Sequence, residues 1–320
     1  MNKYNHALVT GGAGFIGSNL VDALLKKGLK VTSVDNYLTG NAANLREARL
    51  SPNFAERNID VRDITKDHLK LWGIDIIFHQ AASKKVVCMN SPYKDLDINA
   101  GGTLNMMLSA RDAGISKFIH ASTGSIYGEV QRHSGENISD GVFTRIQNEE
   151  YPANPVSYYG ISKLAGEQYV RLINKNATVL RYFHVYGPRQ DYSERGGVVS
   201  IFASRMIKGL PPVIFGDGLQ ERSFTYVQDV VNANLFFMEN ELSGIFNVAS
   251  GEKINLLTLV DHLNDILGTN YIPDFYYATP GDIKYFNVSN DKLKQAGFIF
   301  LATFKSGLRC TIDHLYGQFN

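Results

Sequence analysis

At 320 residues, with 44% hydrophobic and 20% charged side chains, the chain has the composition of an ordinary globular protein with a sizeable core. Its formal net charge of +1 excludes an electrostatic case for nucleic acid or a membrane surface as partner. Cys88 and Cys310 are the only two cysteines and lie far apart, which fits a reducing compartment and argues against a disulfide framework or a cysteine metal site.

Ala7 to Thr10 reads as a first strand and Phe15 to Lys27 as an amphipathic helix. Lys30 to Asp35 is the second strand, Phe54 to Asp60 the third and Asp75 to His79 the fourth. A helix from about Asn99 to Ala113 leads into a fifth strand, Lys117 to Ala121. A helix from about Ser157 to Asn174 precedes the next, Thr178 to Arg181. Strands alternating with helices predict βαβ units with right-handed crossovers, hence an α/β doubly wound parallel sheet of the Rossmann type. After Arg181 glycine, proline and aromatic residues crowd Tyr186 to Phe224, with one helical stretch at Val198 to Lys208. Two further helices are expected at Val227 to Glu239 and Leu256 to Leu267. This part reads as a smaller lobe packed over the carboxyl edge of the sheet. The expected division is residues 1–180 and 181–320, with parts of 224–250 returning to the first domain. No apolar run is long enough to cross a bilayer. The N-terminus passes within a few residues into a strand and a glycine turn, unlike a secretory signal, so the expected location is cytoplasmic.

Gly11, Gly12, Ala13, Gly14, Phe15, Ile16 and Gly17 lie directly between the first strand and the first helix. Glycines there permit a tight turn, close approach of backbone to a pyrophosphate, and close helix–strand packing. The helix N-terminus offers free amides and a positive dipole end to phosphates. Asp35 ends the second strand, where a carboxylate accepts from the adenine ribose hydroxyls and repels a 2′-phosphate. No arginine follows it closely, so NAD is expected rather than NADP. Tyr159 and Lys163 are the one Tyr-x-x-x-Lys pair among 17 tyrosines. Four residues apart on a helix, they share a face. A nearby cation favours phenolate over phenol and makes tyrosine a usable base for a sugar or alcohol hydroxyl. The fifth strand runs into Ser122, Thr123, Gly124 and Ser125, at the end where open parallel sheets bind ligands. The histidines show no pair at metal-ligand spacing, and no metal site is expected.

Glycine loop, strand-end Thr123, Tyr159 and Lys163, in this order, resemble the extended short-chain dehydrogenase/reductase family. Within it the chain is similar to the NAD-dependent nucleotide-sugar epimerases and dehydratases. Asp35 with Asn36, Asp60 with Val61, His79 to Ala82, Asn99, Arg181 to Pro188 and Arg222 to Asp229 also fall in family order. The resemblance implies that Asn36, Asp60, Val61, Ala81, Ala82, Lys84 and Asn99 join the glycine loop and Asp35 in holding the cofactor. It implies that Thr123 and Tyr159 contact the 4-hydroxyl of the substrate and that Lys163 contacts the nicotinamide ribose. Lys84 would serve both cofactor and sugar diphosphate, and Arg222 would grip the diphosphate. Ser125, His184, Val198 and Asp282 complete the implied substrate site. A homodimer formed through helices near Asn99 to Ala113 and Tyr159 to Ile173 is also implied. Asp229 reads instead as a cap of the helix that follows it.

Three departures from the family pattern sharpen this. Retaining dehydratases carry an Asp-Glu pair directly after the active-site threonine, where this chain has Gly124 and Ser125, neither an acid or base near neutral pH. His184 stands where many relatives have asparagine, and reads equally as a substrate contact, a base or a packing residue. Thr279 replaces the usual arginine before Gly281 and Asp282, with Lys284 as a substitute cation. The function expected is epimerisation of a nucleotide-diphosphate sugar at C4 through a 4-keto sugar, with UDP-hexose or UDP-N-acetylhexosamine favoured. The alternatives are epimerisation at another carbon, 4,6-dehydration, net C4 oxidation, and a non-catalytic NAD-binding regulator.

Overall fold

Seven strands form the central sheet: β1 (His6–Thr10), β2 (Lys30–Asp35), β3 (Phe54–Asn58), β4 (Ile76–His79), β5 (Lys117–Thr123), β6 (Thr178–Tyr182) and β7 (Gly244–Val248). Their order across the sheet is β7-β6-β5-β4-β1-β2-β3. The computed structural model describes residues 3–83, 90–129, 146–194, 196–277 and 287–319. The pairings of β1 through β6 are parallel. β7 runs the same way, since Gly244 donates to Ala177 while Phe183 donates to Val248. The sheet is therefore parallel and doubly wound, as the alternation of elements requires. Chain order reverses between β1 and β4, which opens a crevice at their carboxyl ends.

β7 was not among the expected strands. Its five residues are too few to show a period, and they close the sheet beyond β6. The expected helix from Asn99 also differs. Asp97–Gly102 forms a wider π-type turn, and the regular helix begins only at Thr103. Gly101 and Gly102, poor helix formers, lie in that turn.

By their internal contacts the residues divide into two units. The first comprises Met1–Ile126, Pro155–Tyr182 and Val230–Phe246; the second comprises Tyr127–Asn154, Phe183–Asp229 and Asn247–Asn320. The described residues 127–129 and 146–154 thus group apart from the rest of the 1–180 segment. The cause is local: the Tyr127 hydroxyl donates to Asn247 Oδ1 at 2.8 Å, and Asn247 Nδ2 donates to the Gln147 and Ser289 carbonyls. In the first unit alternate strand residues Leu8, Ile77, Phe118 and Val179 pack with Leu69, Met106, Met107 and Val170 from the helices. The second unit has its own core, built on helices Val198–Ile207, Leu256–Leu267 and Phe304–Phe319 around Phe224 and Ile254.

Candidate active site

The turn between β1 and helix Phe15–Lys26 is shaped by what its glycines exclude. Gly11 has φ +65°, and a Cβ there would stand 2.8 Å from the Ala81 Cα at the end of β4. A Cβ on Gly17 would overlap the Gly11 carbonyl oxygen. The helix entry is extended at Gly14, with no side chain capping its first amides. Those amides and the bare backbone of the loop fit a pyrophosphate.

Asp35 is buried at the end of β2. Its Oδ2 accepts from the Ala13 amide at 3.0 Å and its Oδ1 from the Tyr37 amide at 2.8 Å, tying the glycine loop to the next turn. Each oxygen keeps a second lone pair for a ribose hydroxyl. Burial raises its pKa above the usual carboxylate range, and the two amides oppose that. Asn36 Nδ2 donates to Asp60 Oδ2 at 2.7 Å, while the Arg62 guanidinium holds the Asp60 carboxyl down at about 2. Val61 is buried, its methyl against Gly102. The Ala81 amide donates to Thr10 Oγ1 at 3.2 Å, and Ala82 follows at the crevice. These residues surround the switch point and fit a dinucleotide. Asn99 differs from expectation: its carboxamide has no exposed surface and is used by Ser83, Asp95 and Ser162, so its side chain is inside the wall rather than on it. Lys84 and Asp282, with Thr279, Gly281 and Lys284, lie outside the described residues.

Thr123 closes β5, and its Oγ1 accepts from the Ser125 amide at 3.1 Å and donates to Ser125 Oγ at 3.2 Å. The helix Tyr158–Ile173 starts at Ser157, whose hydroxyl accepts from the Gly160 amide. A Cβ on Gly160 would stand 2.7 Å from the Ser125 carbonyl oxygen. That close approach presses the turn bearing the half-buried Tyr159 onto the turn bearing Thr123 and Ser125. One turn on, the buried Lys163 donates to the Ala121 carbonyl at 2.6 Å. Burial lowers its pKa to about 8, opposed by Glu167 and Asp95. The structure thus brings together Thr123, Ser125, Lys163 and the turn that carries Tyr159.

Beneath them lies a buried polar layer to which the sequence reading assigned no role. Glu167 and Arg181 form a buried ion pair, at 3.1 Å through Nε and 2.6 Å through Nη2, and Ser122 Oγ donates to the same carboxylate. Glu167 follows Lys163 by four residues, a spacing that could have exposed the link. His79 stands between Thr10 Oγ1 and Thr103 Oγ1 and stacks on His120, and burial pushes its pKa down to about 3.

In the second unit, His184 takes a left-handed backbone at φ +37° and meets Phe224 edge to face. Val198 opens its helix, half-buried against the core. Arg222 lies in the short strand Glu221–Ser223, paired antiparallel with Lys253–Asn255, and donates to the Glu221 carbonyl. Asp229 does not cap the helix Val227–Asn240. It lies within it, accepting from the Leu301 and Ala302 amides.

The sequence profile of the NAD dependent epimerase/dehydratase family matches residues 7–249. The chain belongs to that family. A UDP-glucose 4-epimerase of Mycolicibacterium smegmatis is 33% identical over 298 residues, covering 90% of this chain and 91% of that one. Among solved structures, the UDP-glucose 4-epimerase of Thermus thermophilus in complex with NAD is 34% identical with a TM-score of 0.84, covering 98% and 99% of the two chains. The UDP-N-acetylglucosamine 4-epimerase of Methanobrevibacter ruminantium, in complex with UDP-N-acetylmuramic acid, is 30% identical with a TM-score of 0.88, covering 99% and 100%. This member of the epimerase/dehydratase family is thus an enzyme type that works with NAD, and its glycine loop and Asp35 suit that cofactor. Among the described residues no cluster of metal-ligating side chains occurs, and no helix is long and apolar enough to cross a membrane.

Proposed function

We propose that this protein inverts the C4 centre of a UDP-linked hexose or N-acetylhexosamine. The observation that carries this is the meeting of Thr123, Ser125 and Lys163 with the turn of Tyr159, with no acid at positions 124 and 125. NAD held by the glycine loop and Asp35 would supply the hydride chemistry needed at C4. Tyr159, as phenolate beside the Lys163 ammonium, takes the proton of the 4-hydroxyl and later gives it back. Thr123 orients that hydroxyl. Gly124 and Ser125 leave no group to expel the C6 hydroxyl, which argues against dehydration. The 4-epimerase relatives, which act on both glucose and N-acetylglucosamine forms, support the same reading.

The second unit is proposed to hold the nucleotide, with Arg222 on the diphosphate through its fork of donors. His184 and Val198 are assigned to the sugar side. A homodimer is the proposed assembly. Tyr158, Ile161, Tyr169 and Leu172 form one stripe along the helix Tyr158–Ile173, and Tyr158 and Leu172 are 61% and 78% exposed. An apolar stripe of that kind suits burial against a second copy. The cytoplasm is the proposed location, in keeping with the two distant cysteines.

The test is incubation with UDP-glucose, UDP-galactose and their N-acetyl forms without added NAD. An epimer of equal mass is expected. Loss of water, or accumulating NADH fluorescence, overturns the assignment. Tyr159→Phe is expected to abolish turnover while NAD stays bound, and a fully active variant refutes the proposed base.

A further inference from the structure

Asp95, in the short helix Pro92–Leu96, is a buried carboxylate that the proposed chemistry does not use. Its side chain has 0% exposure. A carboxylate in that position is costly unless its oxygens are satisfied, and here the donors come from three different elements. Oδ1 accepts from Asn99 Nδ2 at 3.0 Å and from Ser83 Oγ; Oδ2 accepts from Ser162 Oγ at 2.6 Å. Ser83 follows Ala81 and Ala82 at the end of β4, Asn99 lies in the π-type turn, and Ser162 stands between Tyr159 and Lys163. Ser162 Oγ also reaches the Tyr159 carbonyl at 3.1 Å. Among the described residues each donor that reaches Asp95 is uncharged, so its charge is not cancelled at contact.

The groups that face Lys163 can be taken element by element. Its own helix presents Tyr159 and Glu167, the latter neutralised by Arg181 of β6. β4 and β5 present His79 and His120, both buried and neutral, since burial lowers each pKa. The helix Pro92–Leu96 presents Asp95. Among the described residues, Asp95 is therefore the anion acting on Lys163 whose charge no ion pair matches.

We infer that Asp95 is a positioning residue for the Tyr159–Lys163 pair, clamping the helix through Ser162 and supplying the counter-charge that keeps buried Lys163 an ammonium. This rests on Tyr159 being the base. Without the counter-charge Lys163 loses its proton more readily, the phenolate loses a stabilising cation, and Tyr159 must be deprotonated at higher pH.

The experiment uses the full-length protein with its bound NAD. Asp95→Asn keeps the shape and one acceptor oxygen, which can stay towards Asn99 Nδ2 while the Ser83 and Ser162 hydroxyls rotate to suit the new amide. The expected result is retained NAD, little change in KM, a kcat about tenfold lower near neutral pH, and a rising limb of the pH profile displaced upward by about one unit. Ser162→Ala removes the clamp and leaves the charge, so kcat should fall while the limb stays in place. An Asp95→Asn enzyme with wild-type kcat and limb overturns the inference, as does an unmoved limb with reduced kcat, which is a structural effect alone. Should Asp95→Asn fail to fold, Ser162→Ala decides: lowered kcat with NAD bound supports the clamp, and wild-type kcat overturns it. Tyr159→Phe separates the two levels. If it retains activity the base assignment itself fails; if it is inactive while Asp95→Asn is normal, only the role of Asp95 fails.

Discussion

Replacing Glu167 by alanine is expected to destabilise the protein by about 3–5 kcal/mol, the usual effect of removing one partner from a buried ion pair. Arg181 is only 5% exposed and Glu167 0%, so no water replaces the lost carboxylate. The guanidinium cannot shed its proton to escape, because its pKa is far above any working pH. Ser122 loses its acceptor as well, adding about 1 kcal/mol. Against a typical total of about 5–15 kcal/mol this is a large fraction. Glu167→Leu combined with Arg181→Met removes both charges and should recover most of the loss, since paired replacement of a buried ion pair is often neutral. The assay is urea unfolding at a fixed saturating NAD concentration, because bound cofactor itself adds stability. With a slope of about 3 kcal/mol/M, the alanine variant should unfold at a midpoint about 1 M or more lower. A shift below about 0.3 M, or a double variant as weak as the single one, refutes the view that this pair is a buried charge unit.

Gly17→Ala is expected to eliminate bound NAD, because its Cβ would overlap the Gly11 carbonyl, which is backbone and cannot turn aside; cofactor content after gel filtration measures this, and full occupancy contradicts it. Acid stability should follow His79 and His120. Burial holds both folded pKa values below the ordinary 6.5, that of His79 at about 3, so the unfolded state takes up protons first and stability is lost as pH falls below 6.5. His120→Leu forfeits no hydrogen bond among the described residues and should flatten that loss, visible as a smaller drop in Tm between pH 7 and pH 4; an unchanged drop refutes the assignment. Lys117 opens β5 and is buried there, its pKa lowered from 10.5 to about 8 by burial. Below about 8 both states carry the charge and the native state bears its burial. Between about 8 and 10.5 the native state loses the proton first, and stability rises with pH. Lys117→Met should remove that lysine's part of the rise and lift Tm at pH 7, since Thr178 Oγ1 still donates to the Leu242 carbonyl it shared. A lowered Tm counts against it.

Much of the sheet could be read from residue order, because strands such as β1, β4 and β5 are short buried runs separated by helical periods. The glycine loop and Asp35 were legible for the same reason: their chemistry is local, and a few consecutive residues make it. The buried polar layer was not. Asp95, Ser162 and Glu167 are polar residues on helices, which ordinarily face water, and only the packing of three separate elements turns them inward. Asp229 shows the same limit. A helix-start aspartate suggests a cap, yet its acceptors serve amides some seventy residues away, and nothing near it in the chain records that. Asn99 stands in family order in the sequence, but whether its carboxamide faces a ligand or a wall depends on Asp95 and Ser83, which meet it only in the packed structure.

β7 has a consequence for how the protein is made. Until residue 248 has left the ribosome, β6 is an open strand edge with unpaired amides and carbonyls, the kind of edge that recruits other chains. Completion of the sheet must wait through more than sixty intervening residues, so its last pairing is a long-range and comparatively slow event. Truncated or stalled chains ending near Tyr182 are then the form most exposed to aggregation, and the most in need of a chaperone.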